Sequence, residues 1–247
     1  MKLLDRLSNL TKNKFFISTF DQGIISGSNF IITILLVKFI GLEEFGKFSF
    51  LWIIINLSNS LQVSSIIAPM NTITPSQGKK ISSYHGGIFV QQVLFSIIFC
   101  VILFIAIKFL SNIESINNLM IYSSIFIFSL FAIQFQNFVK RLLFVYDKGF
   151  LGTLCDLLCY VTVIILIIYF YNFKELDIEK ILIFYAVTFL SFSLIGLPLL
   201  ITLKLNLKKI IESFKLNFMI SKWMIFSTIL NFFCFNLWLI NLNIILG

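Results

Sequence analysis

Ile88–Leu110 reads IFVQQVLFSIIFCVILFIAIKFL, with Lys108 as its one charge. A helix rises ~1.5 Å per residue and the hydrocarbon layer of a bilayer is ~30 Å thick, so a run of this length crosses it once. Leu151–Tyr171 has the same character, interrupted only by Asp156. Working outward from these two, five more apolar runs follow the same measure: Phe16–Phe39, Phe48–Ala68, Leu119–Val139, Ile181–Leu203 and Met224–Leu246. The whole chain is 59% hydrophobic and only 12% charged, with a mean hydropathy of +1.00. A soluble domain carries ~25% charged residues, so a soluble fold is excluded. Lipid cannot satisfy free backbone groups, and the period-2 alternation of a barrel strand is absent. The sequence therefore predicts an all-α, polytopic transmembrane helix bundle of about seven spans.

The basic residues orient it. Lys2, Arg6, Lys12 and Lys14 precede the first span, Lys79 and Lys80 follow the second, and Lys140, Arg141 and Lys148 follow the fourth. Lys204, Lys208, Lys209, Lys215 and Lys222 follow the sixth. Only Lys38, Lys47, Lys108, Lys174 and Lys180 fall on the other side. The positive-inside bias places the N-terminus in the cytoplasm. The net charge of +8 is thus a topology signal and not a nucleic-acid footprint, since no soluble basic module is present. Leu3, Leu7 and Leu10 interleave with Lys2, Arg6 and Lys12 as in a short amphipathic helix on the inner leaflet, and Lys208–Phe218 repeats the pattern.

Several chemistries are missing. Cys100, Cys155, Cys159 and Cys234 all lie within spans, and the one histidine, His85, falls in a connection. A metal site lacks ligands, and apolar packing is the plainer role for the cysteines. No phosphate-binding glycine loop, HExxH or nucleophile elbow occurs. The outer connections, near Gly41–Lys47, Ser111–Asn118 and Asn172–Lys180, are short for an enzyme that must shield a substrate from water. No cofactor is expected, and transport fits better than catalysis.

Polar groups within spans are costly and mark interior or wet surfaces. Gln22, Ser26, Asn29 and Thr33 form one helical stripe in the first span, expected to line a cleft facing spans two and four. Asp21 lies beside it, ~8 Å inside the cytoplasmic end. Gly23 and Gly27 make a GxxxG, for which close helix packing is the plain reading. Asn56 and Asn59 fall near the midplane of the second span. Gln91, Gln92, Gln134, Gln136, Asn137 and Asp156 gather in cytoplasmic halves, with Lys79, Lys80, Lys140, Arg141 and Lys148 around the rim. A polar vestibule with a cationic mouth would suit an anionic headgroup. For Asp156, stabilisation by a helix N-terminus is the plainer account. Substrate-path or coupling candidates are therefore Asp21, Gln22, Asn29, Asn56, Asn59, Lys140 and Arg141.

Phe20-Asp21-Gln22-Gly23 with Gly27-Ser28-Asn29-Phe30, then Gly41-Leu42-Glu43-Glu44-Phe45-Gly46, is the first of four telling blocks. Ile67-Ala68-Pro69-Met70 at the end of span two, Lys140-Arg141 before the helix of Asp156, and Lys222-Trp223 entering span seven complete them. Together they resemble the polysaccharide-biosynthesis flippase family (Wzx-type) of the multidrug/oligosaccharidyl-lipid/polysaccharide transporter superfamily. Gly41–Gly46 looks like that family's LGxEEFG signature.

The resemblance implies movement of a polyprenyl-pyrophosphate-linked oligosaccharide, an O-antigen, capsule or exopolysaccharide unit, from the inner to the outer leaflet of the bacterial inner membrane. It implies alternating access of two six-helix lobes, a cationic cavity and ion coupling. The chain departs from the pattern in having no Arg or Lys at the midplane of its spans, and in length. It divides into a cytoplasmic amphipathic N-terminus (1–15), a six-helix lobe (16–203), an amphipathic linker (204–223) and the first helix of a second lobe (224–247). The expectation is a truncated or split form, completed by a separate second half or a homodimer partner. Asn231, Asn236, Asn241 and Asn243 of the seventh helix would lack partners without it. Its partners are the lipid-linked oligosaccharide and the bilayer. A multidrug or small-solute exporter of the same superfamily, or a membrane-embedded glycan polymerase or ligase, are the alternatives.

Overall fold

The computed structural model describes residues 14–110, 122–173 and 175–246; for Lys14, Lys79, Leu110 and residues 235–246 it describes the backbone alone. The amphipathic N-terminus expected over residues 1–13, and the outer connection at 111–118, lie outside the described residues. The described chain is helical, with no strand. Its helices are α1 (Lys14–Gln62), α2 (Ala68–Gln77), α3 (Ile81–Leu110), α4 (Ser123–Val145), α5 (Gly149–Asn172), α6 (Ile178–Ser193), α7 (Leu197–Ile201) and α8 (Leu207–Leu246).

Five stretches among the described residues are long and apolar enough to cross a membrane: Phe15–Gln77, Ile81–Phe109, Gly149–Asn172, Ile178–Ile201 and Leu207–Cys234. They do not map one to one onto the expected spans. Phe15–Gln77 contains the first two, joined through Gly41, whose φ of 83° and ψ of 170° break the helix. A β-carbon there would meet nothing within 4 Å, so the demand for glycine is conformational and not steric. The turn beside it is held by Lys47, which donates to Glu44 Oε1 at 2.6 Å and pairs with Glu43 Oε1 at 3.1 Å. Helix α4 is not among the five, because Gln134, Gln136, Asn137, Lys140 and Arg141 dilute its hydropathy.

The chain divides into two compact units. One takes Met1–Trp52 with Ile98–Ile201, the other Ile53–Ile97 with Thr202–Gly247.

In the first unit α4, α5 and α6 pack on one another. Leu130, Ala132 and Phe138 of α4, Val163 and Ile167 of α5, and Ile181, Leu182 and Ala186 of α6 are buried. Ser129 Oγ donates to the Leu182 carbonyl at 2.9 Å across α4 and α6. Gly196 lets the turn after α6 approach α4: a β-carbon on it would stand 2.1 Å from Val139 Cγ1. Asp177 caps α6 by accepting from the Lys180 N–H at 2.8 Å. Val161, Ile165 and Ile168 on α5, and Val101, Ile102, Phe104 and Ile105 on α3, are exposed while Gln134, Thr153 and Thr188 are buried. Apolar outside with polar groups inside is the pattern lipid selects.

In the second unit α1 continues through a π turn, Val63–Ile67, into α2. The cause is Pro69, which cannot donate to the carbonyl four residues back and crowds it. At this turn the Leu61 carbonyl accepts from Ser64 Oγ at 3.1 Å and Ser65 Oγ at 2.6 Å. Helix therefore runs to Gln77, not ending at Ala68 as expected. It stops at Gly78, whose φ is +50°.

Helix α3 begins seven residues before the apolar run that announced it. His85, expected in a connection, is fully buried on α3 with Nε2 2.9 Å from Thr74 Oγ1. Gly86 lets the segment before α8, and Gly87 lets α8 itself, close on α3, since β-carbons would meet the Lys204 carbonyl and Ser213 Oγ respectively. Helix α8 packs through its polar stripe: Ser213, Asn217 and Ser221 are buried while Ile211, Phe218, Met219 and Trp223 are exposed. Tyr84 Oη donates to Asn217 Oδ1 (2.8 Å), and Asn217 Nδ2 donates to Gln91 Oε1 (2.7 Å).

Candidate functional site

Asp21 of α1, Gln136 and Lys140 of α4, and Asp156 of α5 meet inside the first unit. Gln136 and Lys140 are one turn apart on α4, as are Thr153 and Asp156 on α5, so each helix presents two groups on one face. Lys140 Nζ donates to Asp156 Oδ2 at 2.6 Å and to Asp21 Oδ2 at 3.3 Å. Gln136 Nε2 donates to Asp156 Oδ1 at 2.5 Å. Asp21 is 2% exposed, Lys140 3% and Asp156 3%, so these charges are withdrawn from solvent and lipid alike. Gly152 makes room for the lysine stem: a β-carbon on it would lie 3.2 Å from Lys140 Cγ.

The charges do not balance. Two carboxylates face one ammonium, and in a low-dielectric interior an uncompensated charge is costly. Among the described residues Asp21 Oδ1, Gln136 Oε1 and Thr153 Oγ1 find no hydrogen-bond partner. The unfilled oxygens of Asp21 and Gln136, both on the cluster, leave it able to take a proton on a carboxylate or a small monovalent cation. No group of three or more His, Cys, Asp or Glu that could hold a metal ion occurs among the described residues.

Of the expected site residues, Asp21 and Lys140 come together here. Lys140 is not the rim cation that the sequence suggested; its ammonium is spent on two buried carboxylates. Arg141 is half-buried beside it in sequence, and Lys80 and Lys148 are exposed. The expected stripe divides: Gln22, Ser26 and Thr33 are exposed, and Asn29 is half-buried in hydrogen-bonding reach of Tyr160. The inward face of α1 is instead the neighbouring one, Asp21, Ile32 and Leu36. Gly23 and Gly27 are exposed with no atom near their missing β-carbons, so they make no close helix contact in the unit. Cys155 and Cys159 are buried as expected, whereas Cys234 is exposed.

Asp156, for which the sequence favours stabilisation by a helix N-terminus, is instead the closest partner of Lys140 and accepts from Gln136 as well. Its signal was the pairing of a carboxylate with Gly152 one turn earlier, where a long side chain needs space. Asn56 and Asn59 belong to the second unit, where they line an open groove of about 850 Å³ with Ser227 and Asn231 of α8. Asn56 and Asn231 are exposed in it; the side chains of Asn236, Asn241 and Asn243 lie outside the described residues.

No protein-family model matches the chain, and neither a curated protein nor a solved structure does.

Proposed function

We propose that this chain is part of a flippase that carries a polyprenyl-pyrophosphate-linked oligosaccharide from the inner to the outer leaflet of a bacterial inner membrane. In this reading it has about seven spans, an N-terminus in the cytoplasm, and the lobe of residues 16–203 followed by the first helix of a second lobe. The observation that carries the reading is the buried Asp21–Lys140–Asp156 cluster. Ionisable groups inside a membrane bundle mark ion or substrate pathways, and a cluster one positive charge short is suited to taking up and releasing the coupling ion. The amide-lined groove at Asn56 and Asn59 supports a path for a hydroxylated cargo. No role as an enzyme is assigned.

Alternating access needs two walls around a shared site, so the chain alone is expected not to transport. The test is expression of residues 1–247 in a strain lacking its own polysaccharide flippase, with and without a separately encoded second half. Surface polysaccharide should return only with the second half, and Asp156→Asn should abolish the rescue. Restoration by the chain alone, or by a chain carrying Asp156→Asn, contradicts the proposal. Cysteines introduced beside Lys79 and Lys80 should resist labelling from outside intact cells.

One observation favours a second reading. With its ammonium engaged by Asp21 and Asp156, Lys140 offers no charge to an anionic headgroup, which suits a small-solute or multidrug exporter of the same superfamily. Drug resistance conferred without any polysaccharide phenotype would select that reading.

A further inference from the structure

The groove in the second unit has a chemistry of its own. Asn56, Asn59 and Ser60 of α1 face Ser227, Thr228 and Asn231 of α8 across about 850 Å³, within the ~300–1,000 Å³ usual for ligand sites. Among the described residues no Lys, Arg, Asp or Glu lines it. Trp223 and Phe232 add aromatic surface. Lys222 stands at the lip, its ammonium 5.7 Å from the centroid of the Trp223 ring. Val63 and Ser64 of the π turn also line it, and such turns recur at functional sites.

Hydrocarbon is a poor occupant, since Asn56, Ser60, Ser227 and Asn231 are exposed and each polar group facing acyl chains is costly. A phosphate is a poor occupant too, since the lining holds no cation. Amides and hydroxyls donate and accept around a ring of hydroxyl groups, and an indole face covers the apolar C–H side of such a ring.

We propose that this groove binds an uncharged sugar ring of the carried glycolipid, with hydrogen bonds to Asn56, Ser227 and Asn231 and its apolar face on Trp223. The charged linkage stays outside, on the side of Lys222. The inference rests on the reading of the chain as part of a glycolipid carrier and names which part of the cargo this surface takes.

The full chain in lipid nanodiscs, carrying Trp52→Phe and Trp238→Phe so that Trp223 alone reports, is titrated with three probes. These are polyprenyl-pyrophosphate-linked N-acetylglucosamine, bare polyprenyl pyrophosphate and polyprenol. Trp223 fluorescence should respond to the sugar-bearing lipid alone. Asn56→Ala combined with Asn231→Ala should weaken that binding at least tenfold and leave retention of the bare pyrophosphate lipid unchanged. Ser227→Tyr, which fills the groove from an exposed position, should act likewise. Equal binding of the sugar-bearing and bare lipids, unaffected by these variants, overturns the groove assignment and leaves the carrier reading standing. Binding of none of the three overturns the carrier reading and the assignment with it. Ligand-free disulfide crosslinking between copies through Ser227→Cys would show the groove to be covered by a second chain, which also overturns it.

Discussion

The two units bury different polar chemistry. The first holds formal charges, Asp21, Lys140 and Asp156, drawn from three helices. The second holds neutral hydrogen-bonding groups: Tyr84, Asn217 and Gln91 in one chain of bonds, with Gln62 Nε2 donating to Gln92 Oε1 at 2.8 Å and Gln92 Nε2 to Ser96 Oγ at 2.9 Å in another. An interhelical hydrogen bond between uncharged groups in a membrane contributes ~0.6 kcal/mol on average and serves to fix which helix faces touch. Buried charges cost several kcal/mol each before pairing repays them. Amides therefore suffice as an explanation of packing, whereas a charged cluster with a surplus carboxylate calls for a function.

That contrast predicts a ranking. Asp156→Ala leaves the Lys140 ammonium short of its 2.6 Å partner and should cost ~3–5 kcal/mol, the usual penalty for breaking a buried pair. Reversible unfolding in lipid–detergent mixtures measures it. Replacing all three, Lys140→Met with Asp156→Leu and Asp21→Leu, should recover most of the loss, because an apolar set removes the desolvation penalties along with the bonds and leaves no carboxylate buried without its cation. Failure to recover would mean that the cluster holds the first unit together after all.

Next come the close approaches, one in each unit. Gly196→Ala sets a β-carbon 2.1 Å from Val139 Cγ1, and Gly87→Ala sets one 2.6 Å from Ser213 Oγ. Each should cost ~1–3 kcal/mol as an overpacked contact. At Gly87 the β-carbon would also stand 2.7 Å from Ser213 Cβ, which rotation of the hydroxyl does not move, so the two substitutions should cost about the same. Smallest is Asn217→Ala, which removes both bonds that Asn217 makes to α3 and should cost ~1–2 kcal/mol in all. A loss as large as that of Asp156→Ala would erase the distinction between the two interiors.

Much of the fold could be read from the sequence, since helical crossings follow from length and apolar content. The kink at Gly41 fell in the motif already noted, and the small residues at Gly86, Gly87 and Gly196 sat where helices touch. What periodicity could not supply was which face of a helix turns inward. In α1 the stripe Gln22–Thr33 and the face of Asp21, Ile32 and Leu36 differ by one residue step, about 100° around the axis. Membrane helices carry apolar residues on both, so hydropathy cannot choose between them. The same limit hid the role of Lys140. A lysine near a helix end satisfies the positive-inside rule whether its ammonium points to water or to a carboxylate 119 positions away in the chain. The second apolar run likewise ends at Ala68, whereas the helix passes through the π turn and Pro69 and goes on to Gln77.

The surplus charge of the cluster is the central claim, and Asp21 against Asp156 tests it most directly. Unfolding stability of the full chain is compared for the native sequence, Asp21→Asn and Asp156→Asn under one set of conditions. Asp21→Asn leaves Lys140 and Asp156 as a balanced pair, so it should match or exceed the native stability. Asp156→Asn removes the carboxylate closest to Lys140 and leaves Asp21 at 3.3 Å as its one carboxylate, while the amide oxygen can still accept from Gln136; it should lose several kcal/mol, ~3–5 by the measure of other broken buried pairs. Equal losses from the two substitutions would contradict the account, because both carboxylates would then be needed to balance Lys140 and no charge would be left for a coupling ion.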